Sequence, residues 1–183
     1  MTDSNDKVHS SFWANLFKPS AQKLNHDLVL SSFPAFATLG RKELSLIFNI
    51  IHNRQYIAGE YIFNQGDPGI GLYILIDGEV EITYADDKGN CLRIASFLKG
   101  DFFGELALVD GEKRNASAIA KSEVKLAVIF KPDLDEFIEK FPKIGIRIMQ
   151  GISLIVTTRL RKLDEDYLQI LSKSLPMEGK YGT

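Results

Sequence analysis

One cysteine, Cys91, occurs in 183 residues, which rules out an internal disulfide and suits a reducing, cytoplasmic setting. In a strand-like run this small side chain is expected to be half-buried and structural, not a reactive thiol. Histidine is nearly as scarce. His9, His26 and His52 stand far apart and outside the main strand run, so the clustered imidazoles of a metal centre are missing, and neither metal nor cofactor is expected. Positive charge is not in excess: 22 Lys and Arg against 24 Asp and Glu give a net charge of −2, far from a polycation built for nucleic-acid phosphates. No apolar run approaches the ~20 residues of a membrane span, and Met1-Thr2-Asp3-Ser4 lacks the basic start of a secretory signal. No nucleophile stands in a recognisable pairing with a base, so an enzyme is not expected.

What the chain has in quantity is short alternating apolar segments punctuated by glycine. Residues 1–25 read as a flexible extension, polar except for Phe12-Trp13-Ala14-Asn15-Leu16-Phe17, whose apolar residues share one helical face. That segment suits a short helix laid on its own domain or on a dimer mate; Lys7, Lys18 and Lys23 are few for a membrane foothold. The main domain is expected over 26–141. Gly40 can cap a helix with Glu43 three residues on, and Leu44, Ile47, Phe48 and Ile51 carry its apolar face to about Ile51. The period then changes to that of strands. Gln55-Tyr56-Ile57 and Tyr61-Ile62-Phe63 flank Ala58-Gly59-Glu60, Leu72-Tyr73-Ile74-Leu75-Ile76 reads as a buried strand, and Asp77-Gly78 is a hairpin turn into alternating Val80, Ile82 and Tyr84. Leu92, Ile94 and Ser96 continue the pattern, as do Ala116, Ala118 and Ala120, then Val124, Leu126, Val128 and Phe130. Short strands at this spacing predict a mainly β fold with flanking helices, a double-sheet jelly-roll β-barrel. A metal-binding barrel of the same shape is disfavoured by the scattered histidines.

Pro132 opens a helix with Asp133, Asp135 and Glu136 in its first turn, and Pro142 ends it and opens another. The second helix, expected over 142–171, carries Ile144, Ile148, Ile152, Ile155, Leu160, Leu163, Tyr167 and Ile170 at spacings of threes and fours. Such a helix is roughly 40 Å long, more than a small barrel can cover, so its far end calls for a partner, and a second copy is the simplest supply. Residues 172–183 form a tail.

The stretch from Phe103 to Ala118, FGELALVDGEKRNASA, reads as a phosphate cradle. Gly104 permits a tight backbone, Glu105 to Val109 can form one helical turn whose first N–H groups lack intrahelical partners, and Arg114 can take a phosphate in a bidentate fork. The small residues Ala116, Ser117 and Ala118 let a phosphate reach backbone amides. FGELAL with Glu105 and Arg114 in a structural ion pair is the alternative.

The same stretch resembles the phosphate-binding cassette of cyclic nucleotide-binding domains, the family of the cAMP-dependent protein kinase regulatory subunits and the bacterial catabolite activator. Phe103, Gly104, Glu105, Leu106, Ala107, Leu108, Arg114, Ala116 and Ser117 match its pattern, and GEYIFNQGDPGIGLYILIDGEVEI adds to a likeness that covers about Leu28 to Leu171. The resemblance implies that Glu105 accepts from the ribose 2′-hydroxyl, that Arg114 pairs with the cyclic phosphate, and that the amides of Leu106, Ala107 and Ala116 line it. Lys113 and Asn115 depart from the family's usual proline and small residue, so the clue to base preference at Asn115 is missing. By the same resemblance Arg159 holds the ribose edge, Leu163 or Asp164 falls where the base is contacted, and the long helix closes over the base and carries a dimer.

The expectation is therefore a stand-alone, bacterial-type cyclic nucleotide sensor without a DNA-binding module. It would take cAMP in preference to cGMP, respond through its C-terminal helices and act on a protein effector. Ser172 to Thr183 are too few for a helix-turn-helix, and no arginine precedes Arg41 to make a basic pseudosubstrate. A ligand-free dimerisation module and a transcription regulator acting through a partner are the alternatives.

Overall fold

The computed structural model describes residues 27–174. The Phe12–Phe17 segment and the end of the tail lie outside the described residues. Two short helical pieces, α1 (Asp27–Ser31) and a 3-10 turn (Pro34–Phe36), precede α2 (Arg41–Phe48). Eight strands follow: β1 (Ile51–Tyr56), β2 (Tyr61–Phe63), β3 (Gly71–Asp77), β4 (Val80–Ala85), β5 (Cys91–Phe97), β6 (Phe102–Phe103), β7 (Ser117–Ala120) and β8 (Val124–Phe130). A single turn of helix, α3 (Leu106–Val109), lies between β6 and β7, and α4 (Lys131–Lys140) and α5 (Pro142–Ser174) complete the described chain.

The strands form two antiparallel sheets of four, ordered β1-β8-β3-β6 and β2-β7-β4-β5, an arrangement compatible with the expected jelly roll. The first sheet is a middle layer. Tyr73 and Leu75 of β3, with Val124, Leu126 and Val128 of β8, face the second sheet. Leu72, Ile74 and Ile76, with Ala127 and Ile129, face the helices. This double burial is why β3 reads as an unbroken apolar run, and why Ala127 and Ile129 are apolar between the alternating residues of β8, while β4 and β5 read as alternation. Each buried Leu or Ile contributes on the order of 1.5–3 kcal/mol relative to exposure.

Three local readings are corrected. The helix expected to run to Ile51 stops at Phe48, with Asn49 as its C-cap, and Ile51 begins β1, where it pairs with Ile129. The apolar Ile51 fits both a helical face and a strand, and β8 decides by supplying the ladder. The helix expected to open on Pro132 opens one residue earlier, at Lys131. Cys91 lies in a strand as expected but is exposed, because β5 is the outer strand of its sheet.

Helix α5 is fixed to the domain along its first half. Ile148, Ile152 and Ile155 are buried, and Gly151 crosses the 3-10 turn so closely that a Cβ there would stand 2.5 Å from Ala35 Cα. Arg147 donates to Thr38 O at 3.0 Å and ion-pairs with Glu43, whose other oxygen accepts the Gly40 N–H at 2.8 Å. After Arg159 the helix leaves the domain, and Leu160, Leu163, Tyr167, Leu168 and Ile170 are each more than half exposed.

Candidate functional site

The stretch after β6 is shaped by backbone constraints before any side chain acts. Phe103 pairs with Tyr73, which fixes where the strand ends. Gly104 then turns with φ +78°, a left-handed conformation that disfavours side chains, and α3 begins. After Gly111 the chain returns beside the 64–69 loop. Gly69 N–H donates to Glu112 O at 3.0 Å, Arg114 N–H to Asp67 O at 2.8 Å, and Gly66 N–H to Arg114 O at 2.7 Å. The loop is itself closed by Asp67 Oδ2, which accepts the Asn64 N–H at 2.7 Å. The backbone of Arg114 is thereby held through both its N–H and its C=O.

Its side chain lines a cavity of about 440 Å³ bounded by the turn, β4, β5 and α5. Arg114 is 8% exposed. Its guanidinium donates to Gly71 O at 2.6 Å and Gly104 O at 3.1 Å, and it lies 4.3 Å from the Phe63 ring centroid and 5.5 Å from that of Tyr73. Its Nε is buried with no hydrogen-bond partner. Burial lowers the Arg114 pKa and raises that of the Tyr73 hydroxyl, since both charged forms lose hydration. Gly104 is part of the seat: a Cβ there would stand 2.7 Å from an Arg114 terminal nitrogen.

Glu105, 4% exposed, answers to a different cation. Its carboxylate pairs with Arg159 of α5 at 2.7 Å, and Arg159 also donates to Phe102 O at 2.7 Å and lies 4.6 Å from the Phe102 ring centroid. The Glu105–Arg114 ion pair held open as a structural alternative is thus replaced by a pair that reaches across the cavity mouth. The lining as a whole balances Glu105, Asp110 and Glu112 against Lys113, Arg114 and Arg159, and Arg114 is the buried cation among them with no carboxylate in ion-pair contact. A buried cation with only neutral acceptors is costly to desolvate, and an anion is its natural complement.

The cavity brings together Phe103, Gly104, Glu105, Leu106, Ala107, Arg114, Asn115, Ala116 and Arg159. Leu163 is outside the lining and 63% exposed. The opposite wall, Phe63, Ile82, Ile94, Ala95 and Phe97, is not singled out by the sequence reading. Its signal is the alternation of β4 and β5, which marks a face without saying that the face borders a void.

Known proteins resemble this chain in sequence and in fold. Residues 53–141 match the cyclic nucleotide-binding domain family. The chain is 31% identical over 139 residues to the cyclic AMP receptor protein of Thermus thermophilus, covering 76% of this chain and 62% of that one. It is 39% identical over 102 residues to the cAMP-dependent protein kinase regulatory subunit of Emericella nidulans, covering 56% and 24%. Among solved structures, the N-terminal domain of a transcriptional regulator from Streptomyces coelicolor A3(2) superposes with TM-score 0.65 at 28% identity, over 75% of this chain and 95% of that one. By the family match, residues 53–141 are a cyclic nucleotide-binding domain, and the relatives that carry it include the regulatory subunit of a protein kinase. The chain spans less than two thirds of the length of the two curated relatives.

Proposed function

We propose that this protein is a cyclic nucleotide sensor that binds cAMP in the cavity between the 103–116 turn and α5. The observation that carries the reading is Arg114, a buried guanidinium held by two carbonyls and two ring faces with no carboxylate in ion-pair contact. A cyclic phosphodiester is a monoanion, and Arg114 offers it a buried guanidinium bonded only to neutral carbonyls. Arg114 and the amides of Leu106, Ala107 and Ala116 hold the phosphate, Glu105 accepts from the ribose 2′-hydroxyl, and Ile82, Ile94 and Ala95 offer an apolar wall to the base. The choice of cAMP over cGMP follows the relatives, named as a cyclic AMP receptor and cAMP-dependent kinase subunits.

The response passes through α5. Arg159 ties that helix to Glu105, so a ribose that takes up the same carboxylate changes the grip on the helix. The exposed apolar stripe beyond Thr158 is read as the dimer contact, and a protein effector receives the change. Calorimetry of nucleotide-stripped protein against cAMP and cGMP tests the assignment: saturable binding at one site per chain with cAMP favoured is expected, and absence of heat with both ligands removes it.

A further inference from the structure

The Glu105–Arg159 pair is one link between the cavity and α5; a second runs through aromatic rings. Tyr73 stacks on Phe103 with centroids 5.3 Å apart and planes 8° from parallel, and Phe103 stacks on Phe97 at 5.5 Å and 12°. Arg114 lies 5.5 Å from the centroid of Tyr73 at one end, and Arg159 lies 5.9 Å from that of Phe97 at the other. Rings from β3, β6 and β5 thus form a column that crosses from one sheet to the other with a guanidinium at each end. We propose that this column transmits occupancy of Arg114 to Arg159, and that its outer ring, Phe97, is a positioning residue for α5. The inference rests on the nucleotide reading above, since it takes a phosphate as the event at Arg114.

The direction of transmission follows from burial. Tyr73 is 4% and Phe103 2% exposed, whereas Phe97 is only partly buried at the rim. A close-packed interior leaves no slack around the inner rings, so a tilt of the column has an outlet only at Phe97. An unliganded Arg114 is held against Tyr73 and Phe63 by the negative faces of their rings. A phosphate drawn to the guanidinium competes for that charge and loosens the inner contact, the stacked rings adjust together, and Arg159 meets a displaced face. A leucine at residue 97 would fill the volume but offer no flat face to Phe103 or to Arg159.

Cys91 is the only cysteine and is exposed on β5, so it accepts a spin label without prior engineering. A second label at Glu165→Cys on exposed α5 gives a strand-to-helix distance, read by pulsed electron paramagnetic resonance with labelled chains diluted in unlabelled ones. Calorimetry with cAMP is run on every variant. The wild-type background should bind cAMP and shift its distance distribution. Because Phe97 also lines the cavity, distances are read at cAMP concentrations that calorimetry shows to saturate each variant: Phe97→Leu should lose the shift at full occupancy, and Phe97→Tyr should keep it. Phe97→Met serves as a second aliphatic variant if the leucine variant melts early. Binding with a full shift in the aliphatic variants, or binding without any shift in the wild-type background, overturns the relay and leaves the nucleotide reading standing. Absence of cAMP heat in that background overturns both.

Discussion

Glu105 meets Arg159 at 2.7 Å across the mouth of the cavity, so the carboxylate of the turn grips the C-terminal helix and leaves Arg114 to the backbone carbonyls of Gly71 and Gly104. The two charged residues of the sequence motif therefore do separate work. Arg114 supplies the floor with a cation that has no ion-pair partner, and Glu105 connects that floor to the helix that, among the described residues, extends beyond the domain.

Arg114→Ala should reduce cAMP affinity at least about 100-fold while leaving the fold, because a charge-assisted bidentate contact is lost. Arg114→Lys should restore little, since an ammonium cannot reach two carbonyls and a phosphate in one plane. Titration calorimetry with a thermal melt on each variant reads both effects, and near-native affinity in the alanine variant would contradict the assignment.

Gly104→Ala should act on the same contact without touching a ligand. The left-handed backbone costs an alanine roughly 1–2 kcal/mol, and its Cβ would lie 2.7 Å from the Arg114 guanidinium. A lowered melting temperature together with weakened cAMP binding is expected. Lowered stability with unchanged affinity would show that the guanidinium seat is not shared.

The role of Glu105 is separable from its grip on Arg159 by a cycle across residue and ligand. If the carboxylate accepts the 2′-hydroxyl, 2′-deoxy-cAMP should bind the wild type more weakly by ~1.5–3 kcal/mol and lose little more in Glu105→Ala. Equal discrimination in both proteins would return Glu105 to a purely structural role.

Sedimentation tests the use of the exposed stripe. Leu160, Leu163, Tyr167 and Ile170 are 56–63% exposed and follow one another at three- and four-residue spacing, as a coiled-coil seam requires. A dimer is expected at concentrations of about 10 μM, and Leu163→Asp with Tyr167→Asp should give monomers that still bind cAMP. A monomeric wild type at that concentration would leave the stripe to another partner.

Gly151→Ala addresses stability alone. Its Cβ would stand 2.5 Å from Ala35 Cα and 2.9 Å from Ala35 O, both backbone atoms that cannot turn aside. The helix must lift off the 3-10 turn, at a cost of about 1–3 kcal/mol in denaturant unfolding with an unchanged m-value. An unaltered midpoint would mean that α5 is far more loosely seated than its packing indicates.

Much of this was legible before the structure. The turn after Phe103 announces itself because every constraint on it is local: a glycine for the backbone, a carboxylate and a guanidinium nine residues apart, small residues beside them. The strands were legible from alternation and from one apolar run, and α5 from its stripe, although the helix runs on to Ser174, three residues past its expected end. The illegible part was set by pairing at a distance. Ile51 belongs to a strand because β8 lies beside it, and Glu105 pairs with a residue 54 positions away because α5 folds back over the turn. Phe63 and Tyr73 look like ordinary core residues in the sequence, and only the packed barrel reveals them as the bed on which Arg114 lies. Leu163 carries the spacing of a residue on the closing helix, yet α5 has already left the domain at that height.

The clamp on Arg114 also fixes when its disorder is lost. A free arginine carries about 2 kcal/mol of rotamer entropy, and here two carbonyls and two ring faces remove it as the chain folds. An arriving anion meets a guanidinium already aimed, so the association carries none of that ordering cost. Substitutions at Gly104 or Phe63 that merely let the side chain wander would therefore weaken an anion's hold without removing a single contact to it.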